Sequence, residues 1–320
     1  MAESVSSSTA AGSSSRRTSD DPAAGPPRRV RRVSGTDRIV VTLMVAVPTF
    51  LVVALVVFPA IATVALSFAR WTGVGGLDTI QWIGTTNYVN VFTNYPPFQP
   101  AMEHNLLWLG VLFLLATPFG MFLAVLLDKD IRGSRFYQTA LYLPVVLSLA
   151  LVGFIWQLFY SRDQGLINAV FGTQVDWYGD SSVNIWAVLV AASWRHVGYI
   201  MLLYLAGLKG VDPSLREAAA VDGASEVGTF FRIVFPVLRP INIIILVITV
   251  IESLRAFDLV WVVNKGRNGL ELISALVTQN VIGEASRIGF GSALATIMLA
   301  ISIVFVATYV VTVVRGEEER

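Results

Sequence analysis

Residues 217–240 read EAAAVDGASEVGTFFRIVFPVLRP, a polar stretch set between two long apolar runs. It is too long and too patterned to be a simple turn. Just upstream, Asp212 is suited to cap a helix N-terminus and Pro213 to take its first position. Ser214–Val221 is therefore expected to be helical, with Gly223 as a left-handed stop. Ser225 is placed to cap a second helix, weighted by Phe230, Phe231 and Val234 and ended by Pro236. The product is a two-helix bracket at a membrane surface. Its small residues, Ala218, Ala219, Ala220, Gly223 and Ala224, would let another backbone approach closely, although an ordinary cytoplasmic helical hairpin fits the same periodicity.

The chain around this bracket has the composition of a bilayer protein: 55% of 320 residues are hydrophobic and 14% charged. That excludes a single water-facing globule. The net charge of +1 is no footprint for nucleic acid, because the basic residues are localised rather than spread as a patch. With no cysteine, disulfides and thiolate chemistry are excluded, and two histidines, His104 and His196, are too few for a histidine metal cluster.

Residues 1–36 are rich in Ser, Ala, Pro and Arg, lack aromatics, and are expected to form a disordered tail. Arg28, Arg29, Arg31, Arg32 and Arg38 stand just before the first apolar run, where they would anchor the chain against anionic lipid. Six runs are long and apolar enough to span a bilayer: about 39–68, 105–127, 137–159, 184–208, 240–263 and 290–314. Ala60-Ile61-Ala62 imitates a signal-peptide cleavage site, but the first run is too long and begins too far in. The third is expected to carry a kink at Leu143-Pro144. Aromatics crowd residues 70–104 (Trp71, Trp82, Tyr88, Phe92, Tyr95, Phe98), as in an ordered interfacial segment.

The fold expected is thus an all-α integral membrane protein of six transmembrane helices. The domains would be the 1–36 tail, a 37–315 transmembrane body with the 209–239 loop between helices four and five, and a 316–320 end. Segments on the side of the termini carry 16 Lys and Arg and the opposite loops carry 5, so both termini and the 209–239 loop are expected in the cytoplasm.

No glycine-rich phosphate loop occurs, since none of Lys129, Lys209 and Lys265 follows a glycine. Nor is there a nucleophile or metalloprotease motif, so the chain is expected not to be an enzyme. What stands out is charge inside the spans: Arg195 and His196 in the fourth, Glu252, Arg255 and Asp258 in the fifth. An ionised group at a helix centre costs about 2.5–3.5 kcal/mol on insertion scales, so each should meet a partner or water. One reading is an ion-pair ladder locking helices together, Arg195 included, and it suits Arg255 best. The other is a solvated cavity in which Glu252 and Asp258 accept hydrogen bonds from hydroxyls. Tyr199, four residues after Arg195, and Trp261, three after Asp258, are candidates for the wall of such a cavity.

Glu217, Ala218, Ala219, Asp222, Gly223, Ala224, Ile233 and Pro236 resemble the EAA loop of ABC importer permeases, with Phe235 where leucine is usual. In that family the loop couples the permease to its ATPase. Phe257-Asp258-Leu259-Val260 resembles the Phe-Asp motif of carbohydrate permeases of the maltose type. The glycine-rich turn that follows reads Asn264-Lys265-Gly266-Arg267-Asn268-Gly269 and departs from the usual Thr-Gly-Gly-Gly-Pro. Asn87-Tyr88, Arg132-Gly133, Leu143-Pro144, Gly165-Leu166-Ile167-Asn168 and Gly289 to Ala295 add weaker likenesses in the same order.

The resemblance covers about Ile39 to Val314 and implies a bacterial plasma-membrane subunit that imports a sugar or oligosaccharide by alternating access. It further implies Phe257 and Asp258 along the substrate path, to which the charge and spacing within the spans add Glu252, Arg195, Tyr199 and Trp261 as candidates. The implied partners are a second, distinct permease, an ABC ATPase dimer holding ATP and Mg, and an external solute-binding protein; no cofactor would sit on this chain. Alternatives are an ABC permease for a polyol phosphate or peptide, or an ion-coupled secondary carrier in which Glu252, Asp258 and His196 relay protons.

Overall fold

The computed structural model describes residues 35–129, 131–283 and 286–318. The arginine-rich stretch expected as a tail falls almost wholly outside them. The chain divides into two bodies, one up to Val56 and one from Val57 onward.

The first body contains α1 (Gly35–Val52) and most of a π-helical turn, Val53–Val57. Met44, Phe50 and Leu55 lie exposed along it. An exposed surface this apolar is tolerable only in lipid.

The second body begins with α2 (Phe58–Leu66), a two-residue antiparallel pair of β1 (Ala69–Arg70) and β2 (Gln81–Trp82), and α3 (Thr86–Thr93). Then come α4 (Phe98–Val111), a π-turn at Leu112–Ala116 and α5 (Thr117–Asp128). Next are α6 (Ser134–Val146), α7 (Leu149–Phe159), α8 (Leu166–Phe171) and α9 (Asn184–Lys209). The bracket helices α10 (Pro213–Val221), α11 (Glu226–Thr229) and α12 (Phe235–Val237) precede α13 (Arg239–Leu254) and α14 (Asp258–Asn264). The series ends with α15 (Ile273–Val281) and α16 (Ile288–Glu318).

Among the described residues four helical stretches are long and apolar enough to cross a membrane: Arg38–Leu66, Phe98–Asp128, Asn184–Lys209 and Ile288–Thr308. Two more qualify only as bent pairs, which corrects two expectations. The third run is not one kinked helix, since α6 and α7 meet at 104°. Pro144 sits inside α6, and the break comes at Leu147-Ser148, where extended Ser148 accepts from Leu151 N at 3.2 Å and caps α7. A cap on the next helix stops α6 more effectively than one missing donor within it. The fifth run is likewise interrupted, ending as α13 at Leu254 and resuming as α14 at Asp258. A separate bend of 74° lies at Leu238, between Glu226–Val237 of the bracket and Arg239–Asn264 of the fifth run.

Two other boundaries shift. The second run starts at Phe98, seven residues before the expected Asn105, so Asn105 lies inside a helix and buried. The segment between the last two runs contains α15, whose Ile273, Ala275 and Leu276 are fully enclosed.

Three apolar clusters hold the second body together. One joins Trp108, Leu112, Val152, Val188 and Leu189 to Leu259 and Leu272. A second joins Ala124 and Leu127 to Ile200, Met201, Leu238 and Ile245. The third joins Val91 and Phe98 to Ile273, Leu276, Phe290 and Leu294. α9 is the central post, and its Gly198 permits close approach to α6: a Cβ there would lie 2.2 Å from the Leu141 carbonyl. Small residues at such crossings are what tight packing in lipid requires.

Candidate functional site

The bracket forms from its own sequence. Asp212 accepts from Ser214 N at 2.9 Å, caps α10, and is held below the usual carboxylate range by that bond. Gly223 turns the chain at φ +75°, a region that penalises any Cβ. Ser225 accepts from Gly228 N at 3.2 Å and caps α11. The helix then runs through a π-turn, Phe230–Val234, into α12 and ends after Val237. Pro236 was expected to end it; instead Pro236 lies in the opening turn of α12, where the donor it lacks is tolerated.

Of the motif residues, Ala219 is buried and Ile233 half-buried. Glu217, Ala218, Asp222, Gly223, Ala224 and Pro236 face outward. Exposed Val221, Val227 and Phe231 share this rim, giving it an apolar character.

An ionic junction ties the bracket to the membrane helices. Asp128, its side chain only 9% exposed, lies 2.8 Å from Arg216 of α10 and 3.3 Å from Lys209 at the end of α9. Beside it, Lys129 reaches Glu226 of α11 at 2.6 Å and holds that carboxyl below its usual range. Sequence reasoning missed this junction, whose partners lie some 80 to 100 residues apart; the Asp128-Lys129 pair closing an apolar run was the available cue.

Within the membrane helices, Arg195 of α9 approaches Glu252 of α13 at 3.5 Å. Both line a cavity of about 80 Å³ together with His196, Arg255, Phe257 and Asp258. Arg195 Nε is enclosed there without an acceptor. Among the described residues no ion pair links Glu252, Arg255 and Asp258 to one another, so the ladder reading keeps only its Arg195 rung. The break at residues 255–257 carries these side chains off a common helical stripe. His196 lies 3.4 Å from the Thr117 hydroxyl and 3.3 Å from that of Thr249, bridging three helical elements.

Two candidates lie elsewhere. Trp261 does not line the cavity; it stacks on Phe257 at 5.0 Å and carries Lys265 5.3 Å above its ring. Tyr199 packs against the Ala124–Ile245 cluster. Helical spacing put Tyr199 on the Arg195 face, but a stripe four residues long is wide enough to meet two different neighbours.

The break in the fifth run is held from outside. Asn105 of α4 donates to Ser253 O at 3.0 Å and accepts from Ile273 N at 3.0 Å. Ser274 of α15 donates to Ala256 O. These side chains satisfy the backbone groups that α13 and α15 leave unpaired.

Residues 23–315 match the family model described as the binding-protein-dependent transport system inner membrane component. A probable ABC transporter permease of Pyrococcus horikoshii is 28% identical over 284 residues, 85% of this chain and 95% of that protein. A xylose/arabinose import permease of Haloferax volcanii is 31% identical over 252 residues, 77% and 78% of the two chains. A solved bacterial ABC transporter involved in the import of the acidic polysaccharide alginate shares the fold, with a TM-score of 0.75 at 20% identity, over 88% of this chain and 96% of that one. Matched from before its first helix into its last by one family model, the chain belongs to the binding-protein-dependent transport system inner membrane components, the membrane-embedded permeases of ABC transporters.

Proposed function

We propose that this permease imports a sugar or oligosaccharide, driven by ATP hydrolysis on a separate ATPase dimer and supplied by an external binding protein. The observation that carries the reading is the capped bracket: two short helices that expose Glu217, Asp222 and an apolar rim, and are bonded through Asp128 to the ends of α5 and α9. The xylose/arabinose relative and the alginate importer support the substrate class. In this reading six spans cross a bacterial plasma membrane, α6 and α7 counting as one and α13 and α14 as another, with both termini and the bracket in the cytoplasm. A second, distinct permease completes the pathway, and ATP and Mg bind only to the ATPase.

The mechanism follows from connectivity. Closure of the ATPase dimer on ATP would displace the bracket. Arg216 and Glu226 would carry that shift to α5, while α9 ends at the bracket and α13 begins from it. Arg195 and Glu252, one on each of those helices, would then part or close. The cavity between them, about 80 Å³ here, is well below the ~300–1,000 Å³ of small-molecule sites. It would therefore have to widen, with the second permease lending the facing wall, as alternating access requires.

The test is purification of tagged protein in mild detergent, with identification of what co-purifies and assay of ATP hydrolysis. The expected result is an ATPase that stays bound to the native chain and is lost from Glu217→Lys, with uptake falling to background. A lone, stable chain showing proton-dependent uptake, unchanged by Glu217→Lys, would replace this reading with the secondary carrier.

A further inference from the structure

A second cavity, of about 380 Å³, opens where β1, α3 and the N-terminal end of α16 meet. It is lined by Arg70, Trp71, Asn90, Asn94, Tyr95 and Arg287, among others, and no carboxylate among the described residues lines it. Its volume lies within the roughly 300–1,000 Å³ of small-molecule sites, unlike that of the space beside Arg195.

The walls are held in place by groups behind them. Asn87 donates to Ser67 O and Ala69 O at 2.8 and 2.9 Å, fixing the strand that delivers Arg70. Trp71 O accepts from Gly289 N at 3.2 Å. Asn280 donates to the Tyr95 hydroxyl at 2.9 Å and accepts from Arg287 Nη2 at 2.6 Å. The Arg287 guanidinium lies 5.0 Å from the Phe290 ring centroid and 5.9 Å from that of Tyr95. A guanidinium carries five N–H donors, so the bond from Nη2 to Asn280 leaves others able to donate.

Two features call for an oxygen acceptor. Arg70 and Arg287 form no ion pair among the described residues, although both border the same cavity. The Trp71 indole nitrogen is enclosed without a hydrogen-bond partner. A buried donor left unpaired is uncommon and points to a missing acceptor. An anionic oxygen placed between the guanidiniums would pair both charges, and the Asn90 and Asn94 amides would meet hydroxyls beside it.

We propose that this cavity binds a carboxylate or phosphate group carried on a hydroxylated ring or headgroup. The source is either an anionic saccharide unit or the headgroup of an anionic phospholipid; the cavity adjoins the end of the first apolar run. The proposal stands on this cavity alone, so failure of ATP-driven uptake would leave it untouched.

The test is calorimetric titration of the full chain in uncharged detergent with galacturonate, galactose and inorganic phosphate. Alongside it, native mass spectrometry would count phosphatidylglycerol and phosphatidylcholine retained from mixed vesicles. The expected result is binding of galacturonate over galactose, or retention of phosphatidylglycerol over phosphatidylcholine, weakened about tenfold or more by Arg70→Gln. The Arg70 side chain is exposed and forms no hydrogen bond or ion pair among the described residues, and Arg70→Gln leaves the backbone pairing with Gln81 in place, so this variant should fold; Arg287→Lys, which keeps charge but loses the fork, should weaken binding as well. The first pattern assigns the site to a saccharide and the second to a lipid. Equal binding of charged and neutral probes, affinity unchanged in Arg70→Gln, or no binding of any probe would overturn it.

Discussion

The bracket at residues 212–237 and the interruption at residues 255–257 are both places where a helix stops, and they stop for opposite reasons. The bracket carries its instructions locally: Asp212 and Ser225 cap the helices that follow them, and Gly223 supplies the positive φ between. The interruption has neither glycine nor proline. Leu254, Arg255, Ala256 and Phe257 would all continue a helix in isolation, and the freed carbonyls of Ser253 and Ala256 are taken up by Asn105 and Ser274 instead. A helix end written in its own residues survives a change of surroundings; one borrowed from neighbours depends on them. In the proposed transport cycle that suits the two places, since the bracket must move as a unit while the mid-span break must respond to its surroundings.

This contrast can be broken most directly at Asn105. Asn105→Leu keeps the volume but orphans the Ser253 carbonyl and the Ile273 N–H, each loss costing about 1–3 kcal/mol. We expect a thermal unfolding midpoint lowered by several degrees, with increased amide exchange across residues 253–258 and 272–276. Unchanged exchange there would mean that the break is locally encoded after all. A smaller effect is expected at Gly223→Ala, where a Cβ in the left-handed region costs about 1–2 kcal/mol. The loss should appear as faster exchange confined to residues 213–237, leaving the break at 255–257 unaffected; spread into α13 would show that the bracket is less autonomous than its caps suggest.

The smallest effect is expected at Lys129–Glu226, an exposed pair. Because Lys129 depresses the Glu226 carboxyl, its contribution is present above the ordinary carboxylate range and is lost as pH falls through the lowered value. A double-mutant cycle on bracket exchange should therefore show coupling at neutral pH that disappears in acid and in high salt. Coupling that persisted in acid would rule out the ion pair as its source.

The same contrast explains what could be read from residues alone. The bracket helices, the first, second, fourth and last long helices, and the charge cluster of the fourth and fifth runs were legible, because caps, apolar length and isolated charges are local properties. The bend at Ser148 was legible in principle, through a serine followed by an apolar run, but Pro144 drew the expectation four residues early. Tyr199 and Trp261 lie away from the cavity beside Arg195, because helical spacing names a face without naming what that face meets.

By itself, then, the sequence determined a membrane-embedded helical chain with a capped bracket and a few charges that must avoid lipid. Hydrophobic length, capping and desolvation cost act on each segment separately, so those features needed no partner to be read. Only the tertiary structure decided that Arg195 meets Glu252, that Asp128 joins the bracket to α9, that the fifth run breaks after Leu254, and that Arg70 and Arg287 share one cavity. Each of those unites residues far apart in the chain, and their pairing depends on how apolar faces pack and on which backbone groups are left needing a partner.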